Sequence, residues 1–285
     1  MGGSGGPPGW VPPASPAAPS NLPPPGWYAV GDGRTLWWDG VQWQQHAPMA
    51  PVEPYQPVGR VGGATAVLIG LSGLVSLAAA GTEVHRYLLM DRVMDRDPTL
   101  TYSQLQSADD LATTVGLVDL GVMLVAGIVF LVWIHTVFKN LHGALRSRAV
   151  EITPGWAVGW WFVPIANLFK PKQVMNEAWT ASAPGTSDPT LPVAYSVPRK
   201  PPALLSWWWA AWIGAGLISR FSVGWYSGDP MTRSASSLQT EFLWGAIGAG
   251  VYVVAAILAI QVVRDITQRQ EARAHNVARS QVWGG

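Results

Sequence analysis

The sequence predicts an all-α integral membrane protein: a four-span helical bundle with a broken re-entrant or interfacial segment, preceded by a small N-terminal β mini-domain. Three observations predict it. Only 12% of the 285 residues are charged, about half the proportion usual in soluble domains. Hydrophobic residues make up 49% and are gathered into long runs rather than spread. Four of those runs approach the ~20 residues that a helix needs to cross a bilayer core.

The same composition excludes several function classes. Net charge is +1, so no overall field recruits nucleic acid. There are no cysteines, which removes disulfides, thiolate nucleophiles and Cys-ligated metals together. No Ser-His-Asp set, HExxH, P-loop or metal-spaced cluster is present. The chain therefore reads as no enzyme, with no cofactor. Its opening M-G-G-S-G-G-P-P has neither the basic nor the apolar region of a signal peptide, so the first span is expected to be an uncleaved anchor.

Residues 1–22 are Gly, Pro, Ala and Ser with little to bury, and a disordered tail is expected. Residues 23–47 form a Trp-rich β mini-domain. Trp27 and Tyr28 follow a Pro-Gly break, and Gly31-Asp32-Gly33 is a turn signal. Thr35 to Trp38 and Val41 to His46 are β-prone, joined by Asp39-Gly40 as a two-residue hairpin turn. Alternation sends Trp37 and Trp38 to opposite faces. Trp27, Tyr28, Trp37, Trp38 and Trp43 form either a peptide-binding face or the whole core of the module. The pattern P-G-W-Y…D-G…W-W-D-G…W resembles a short domain of unknown function common in high-GC Gram-positive bacteria, usually placed before transmembrane segments. Residues 48–60 read as a Pro-rich linker.

The membrane domain is expected over 61–270, followed by a cytoplasmic tail, 271–285. Its spans are about 61–80, 115–138, 203–219 and 242–263. A fifth apolar stretch, 155–169, is too short for a clean crossing and contains Pro164, which suits a broken re-entrant or interfacial segment. A surface helix over 172–180 follows it. Basic residues choose the orientation. With the N-terminus inside and four spans, Arg86, Arg92, Arg96, Arg220 and Arg233 lie outside, and the other 13 of the 18 Lys and Arg lie inside. If 155–169 also crossed, the same orientation would put 7 inside and 11 outside. Four spans in the cell (inner or plasma) membrane with both termini cytoplasmic fit the positive-inside rule best.

The runs V-W-I-H-T-V-F-K-N-L and W-W-F-V-P-I-A-N-L-F-K-P-K-Q-V-M-N-E-A-W carry a second resemblance. They are similar to a multi-span bacterial domain of unknown function whose pattern falls here on Trp160, Trp161, Phe162, Pro164, Asn167, Pro171, Met175, Glu177 and Trp179. The resemblance supplies a membrane fold and no activity.

Candidate membrane-site residues are Asp119, His135, Asn140, Trp160, Trp161, Pro164, Asn167, Pro171 and Glu177. Asp119 is a proton or cation site, or else an interfacial carboxylate reaching water. His135 lies too far along the same helix to pair with it, and reads as an interfacial cap. Trp160, Trp161, Pro164 and Asn167 are a kink whose orphaned carbonyl Asn167 satisfies, or else a polar site at a broken helix. Small-residue spacing at Gly155 and Gly159, and at Gly245, Gly248 and Gly250, suits close helix contact or self-association. The leading functional reading is a non-enzymatic scaffold that engages a cytoplasmic protein through the Trp module. The alternative is small-solute or lipid handling at the broken segment. The expected partners are the bilayer, that protein and a second copy of the chain. A cavity joining Asp119 and Asn167 favours the alternative; a tightly packed bundle favours the scaffold.

The topology is tested by labelling intact cells with an impermeant thiol reagent. Ser103→Cys reacts, whereas Ser187→Cys and Ser280→Cys do not. Labelling at position 187 contradicts a re-entrant 155–169.

Overall fold

A computed structural model describes residues 23–29, 35–44, 53–147, 150–183, 201–224 and 234–283. The tail 1–22, the Gly31-Asp32-Gly33 turn and Ser187 lie outside the described residues. Two compact units divide between Val52 and Glu53.

The first unit is a three-stranded antiparallel sheet of β1 (Gly26–Ala29), β2 (Thr35–Trp38) and β3 (Trp43–Gln44) in that order. Trp27 pairs with Trp37 in register, and Trp38 with Trp43. Tyr28, Trp38 and Trp43 meet on one face and Trp27 and Trp37 on the other. The β2–β3 connection is longer than the two-residue turn expected. The Asp39 carboxylate accepts the backbone N–H groups of Val41 and Gln42, both at 2.8 Å. It thereby stabilises a four-residue loop with Gly40 at φ +103°. Trp38 is buried, whereas Trp27 and Trp43 remain about half exposed.

The second unit is helical: α1 (Gly59–Met94), α2 (Tyr102–His142), α3 (Pro154–Gly159), α4 (Lys170–Ala181), α5 (Ala203–Gly224) and α6 (Ala235–Trp283). Helices α1 and α2, and α6 over Ala235–Arg279, are long and apolar enough to cross a membrane. The fourth expected span falls on α5, a 22-residue helix. Its indoles Trp207, Trp208, Trp209 and Trp212 each add a polar N–H to an otherwise apolar helix.

Several helices outrun their expected bounds. Helix α2 starts at Tyr102 because Thr101 and Gln104 form a reciprocal capping box. Helix α1 continues beyond Ala80 to Met94, the helical extension that the apolar stripe of Val84, Tyr87, Leu88, Val93 and Met94 predicts, and Asp97 orders the turn to α2. Its carboxylate accepts the Thr99 hydroxyl and backbone N–H and the Arg92 guanidinium. These donors hold the Asp97 carboxyl at about 2, below the ordinary 3.8. Helix α6 runs unbroken to Trp283, through the described part of the expected tail.

The linker boundary also moves. Residues 53–58 belong to the membrane unit, with Val58 fully buried. Glu271 of α6 accepts the backbone N–H groups of Val58 and Gly59, both at 2.8 Å, and so caps α1.

Helix α1 packs on α2 and α6, and α6 packs on α5, giving the lateral order α2–α1–α6–α5. Close approach is set by small residues. A Cβ at Gly62 would lie 2.4 Å from the Thr267 hydroxyl, and one at Gly73 would lie 3.1 Å from Ala256. Across Gly62, the Trp133 indole donates to Thr267 at 3.1 Å, linking α2 to α6. The main apolar core surrounds this end and includes Trp133, Phe138, Met175, Trp208 and Ile266.

A buried polar network lies beside that core. The Asn140 amide donates to the Gln56 carbonyl at 2.7 Å and to Gln270 at 3.2 Å, while its oxygen accepts the Gln56 N–H at 2.9 Å. Gln270 donates onward to the Val137 carbonyl. Arg273, 1% exposed, donates to the carbonyls of Leu145 and Ala181. Its positive charge thus sits at the C-terminal ends of α2 and α4, where helix dipoles favour cations. Asn140→Leu orphans both Gln56 groups and Gln270, so it lowers stability by about 2 kcal/mol or more. His135→Leu, at an exposed position of the same helix, leaves the detergent melting temperature unchanged or raises it.

Candidate functional site: a cleft between α2 and α5

Helices α2 and α5 are the outer members of the row, and an apolar cavity of about 210 Å³ lies between them. Ile69 of α1 and Tyr252, Ala255 and Ala259 of α6 form its back. Met123, Gly127 and Phe130 line the α2 side, Trp208 and Trp212 the α5 side, and Trp161 and Phe162 contribute from the broken segment. Apolar walls of this kind suit hydrocarbon.

A polar cavity of about 410 Å³ adjoins it, sharing Met123, Trp212 and Tyr252. Asp119 and Arg220 both line it. Asp119 is half-buried and accepts the Ser76 hydroxyl at 2.9 Å. One turn earlier on α1, Ser72 lies 3.1 Å from the Tyr252 hydroxyl. Among the described residues no ion pair joins Asp119 to Arg220. A third cavity, about 200 Å³, is lined by Asn167, Trp209, Trp212 and Arg220. The three cavities therefore share Trp212, and Arg220 borders the second and the third.

The broken segment is made by its local sequence. Thr153 caps α3 and Pro154 occupies its first turn. The helix ends at Gly159, ahead of Pro164. The chain then reverses through a tight γ-turn in which Ala166 donates to the Pro164 carbonyl at 2.7 Å. Ile165, at its centre, has φ 66° and ψ −50°. That conformation is rare and strained, most of all for a β-branched residue. Phe162, Ile165 and Phe169 are exposed on this segment, an apolar surface suited to lipid.

The kink-rescue geometry is absent. The helix has already ended before Pro164, so Pro164 orphans no helical carbonyl, and no hydrogen bond of the Asn167 side chain is found among the described residues. Asn167 instead lines the third cavity. Trp161 packs edge-on to Phe130 and Trp209, and the Trp209 indole donates to the Leu168 carbonyl at 3.1 Å. Trp160 stacks on Trp156 with Lys170 above its ring.

The remaining candidates serve the scaffold of the cleft. Asn140 belongs to the buried network, and His135 is exposed. Pro171 is buried at the start of α4. Glu177 accepts the backbone N–H groups of Glu151 and Ile152 at 2.7 and 2.8 Å, fixing the approach to α3. Gly155 has no neighbour within 4 Å of a Cβ, and Gly159 meets only its own Trp156. Gly248 does receive Ile218 and Ser219 of α5, and Gly245 receives Glu83. Arg220 and Trp212, both central to the cleft, were not singled out by sequence. An arginine ending an apolar span is a detectable signal, but its convergence with Asp119 depends on tertiary packing.

With this geometry in place, comparison with known families is informative at one level. The pattern of a domain of unknown function, DUF4328, matches residues 96–268. The chain belongs to that family. The match takes in α2 to α5 and most of α6, and hence most of the cleft wall. No curated protein and no solved structure matches the chain.

The strained turn gives a direct test. Ile165→Gly removes the positive-φ penalty of about 1 kcal/mol or more and gives up little packing, since Ile165 is 77% exposed. The variant melts higher in detergent; an unchanged or lower melting temperature contradicts strain at this turn.

Proposed function

We propose that this DUF4328 protein is a non-enzymatic, four-span membrane protein that binds an amphiphile in the cleft between α2 and α5. The observation that carries the reading is the junction of two environments. An apolar cavity lined by Phe130, Trp208 and Trp212 adjoins a polar one lined by Asp119 and Arg220. A molecule with a hydrocarbon tail and a polar head matches both, whereas a small polar solute would leave the apolar end unfilled.

In the proposed topology α1, α2, α5 and α6 cross the membrane with both termini cytoplasmic. The 13-to-5 division of basic residues supports it. The charged end of the cleft then faces the outer leaflet, and the Trp161 end faces the cytoplasm. The broken segment would be a cytoplasmic-side re-entrant floor, which the exposed Phe162, Ile165 and Phe169 support.

A second reading, a scaffold acting through the N-terminal module, is favoured by the exposure of Trp27 and Trp43. Aromatic residues left exposed on so small a sheet suit contact with a polypeptide. The two roles are compatible, since they use different units of the chain.

The cleft reading is tested by filling it. A Cβ at Gly127 meets nothing within 4 Å, so Gly127→Phe enters the apolar cavity without displacing backbone. Native mass spectrometry of the purified variant shows several-fold less retained lipid than the wild type. Equal retention contradicts occupancy of the cleft.

A further inference from the structure

We propose that the cleft selects a zwitterionic phospholipid, with the phosphate held by Arg220 and the headgroup ammonium by Asp119. The inference rests on the amphiphile reading above and names the ligand class.

Charge complementarity carries it. The polar cavity has one acidic and one basic side chain on its wall, on different helices, α2 and α5. No ion pair between them is found among the described residues. A guanidinium fits phosphate oxygens in a planar fork, and a carboxylate accepts from an ammonium. An anionic headgroup without an amine would pair its phosphate with Arg220 and leave Asp119 with no cation to meet. A fatty acid would use Arg220 and leave Asp119 uncompensated. Only a head carrying both charges matches both walls.

Position supports the same occupant. Met123, Trp212 and Tyr252 border both cavities, so a headgroup in the polar cavity sends its acyl chain directly into the apolar one. Exposed apolar surface continues along α2 through Leu117, Leu124 and Ile128. Bilayer lipid therefore lies beside the cleft and is its immediate supply.

The test uses the full chain in nanodiscs with equal amounts of phosphatidylethanolamine and phosphatidylglycerol of identical acyl chains. Lipids retained on extraction are weighed by native mass spectrometry. The wild type retains the ethanolamine lipid in excess. Asp119→Asn keeps an oxygen acceptor for Ser76 and removes the charge, so the excess falls about tenfold, the worth of one charged hydrogen bond. Arg220→Gln lowers retention of both lipids. Gly216→Leu fills the polar cavity, where a Cβ meets nothing within 4 Å, and also loses the excess; it carries the test if Asp119→Asn does not fold. Equal retention of the two lipids by the wild type, or an excess that survives Asp119→Asn or Gly216→Leu, overturns the zwitterion assignment while the amphiphile reading stands. Failure to retain either lipid overturns both.

Discussion

Helix α2 is joined to α6 over the body of α1 by the Trp133–Thr267 hydrogen bond across Gly62, and Asn140 and Gln270 extend the link. The rest of the membrane unit follows from that link. A side chain at position 62 would occupy the space of the Thr267 hydroxyl, so only glycine lets the three helices converge. Around this point the sequence gathers polar groups that must be satisfied internally. Asn140 serves the Gln56 backbone, Glu271 caps α1, and Arg273 serves two helix ends. In an apolar medium each such group is costly if left unpaired, and the cluster pairs the Asn140 amide, the Gln56 backbone and the Gln270 amide. One end of the helix row is thereby fixed.

Away from the fixed end the packing has a different character. Beyond Trp133 toward its N-terminus, α2 contributes Phe130, Gly127 and Met123 to a cleft wall. The residues opposite are large indoles of α5, which bridge the gap without filling it. Trp161 closes the bottom by packing edge-on to both Phe130 and Trp209. After the reversal at Pro164–Ala166, Asn167 lines the third cavity. The strain at Ile165 thus has a structural consequence: it turns the segment back beneath the cavity. At the other end, Asp119 and Arg220 form the polar wall. The result is a gradient from aromatic to charged along one groove.

Much of the architecture was legible in the sequence, for physical reasons that also mark where legibility ended. Runs of apolar residues mark helices because a bilayer crossing demands length and apolarity; α1, α2 and α6 meet that demand, and α5 falls on the fourth run. The extent of α2 was also written locally, in Thr101 and Gln104, but apolarity alone pointed to a later start. The two-residue hairpin at Asp39-Gly40 failed because the Asp39 carboxylate captures two backbone donors and favours a longer loop. Pro164 pointed to a break in a helix, and α3 ends at Gly159, five residues before it. Its mechanism did not follow, since the helix stops at Gly159 and Asn167 is left facing a cavity. Asn140 and Glu177 stand in the two runs that carry the family resemblance, and both serve backbone groups far away in sequence, which no local pattern encodes. The convergence of Asp119 with Arg220 is likewise a product of helix order.

The central claim is that lipid occupies the space between α2 and α5 rather than merely surrounding the protein. Photo-crosslinking in membranes with a phospholipid carrying a diazirine in its acyl chain tests this most directly. The account predicts adducts concentrated on Met123, Phe130, Trp208 and Trp212, above the level on Leu124 and Ile128, which are exposed on the same helix as Met123. Adducts spread evenly over α2, with no enrichment at the cleft residues, would contradict it.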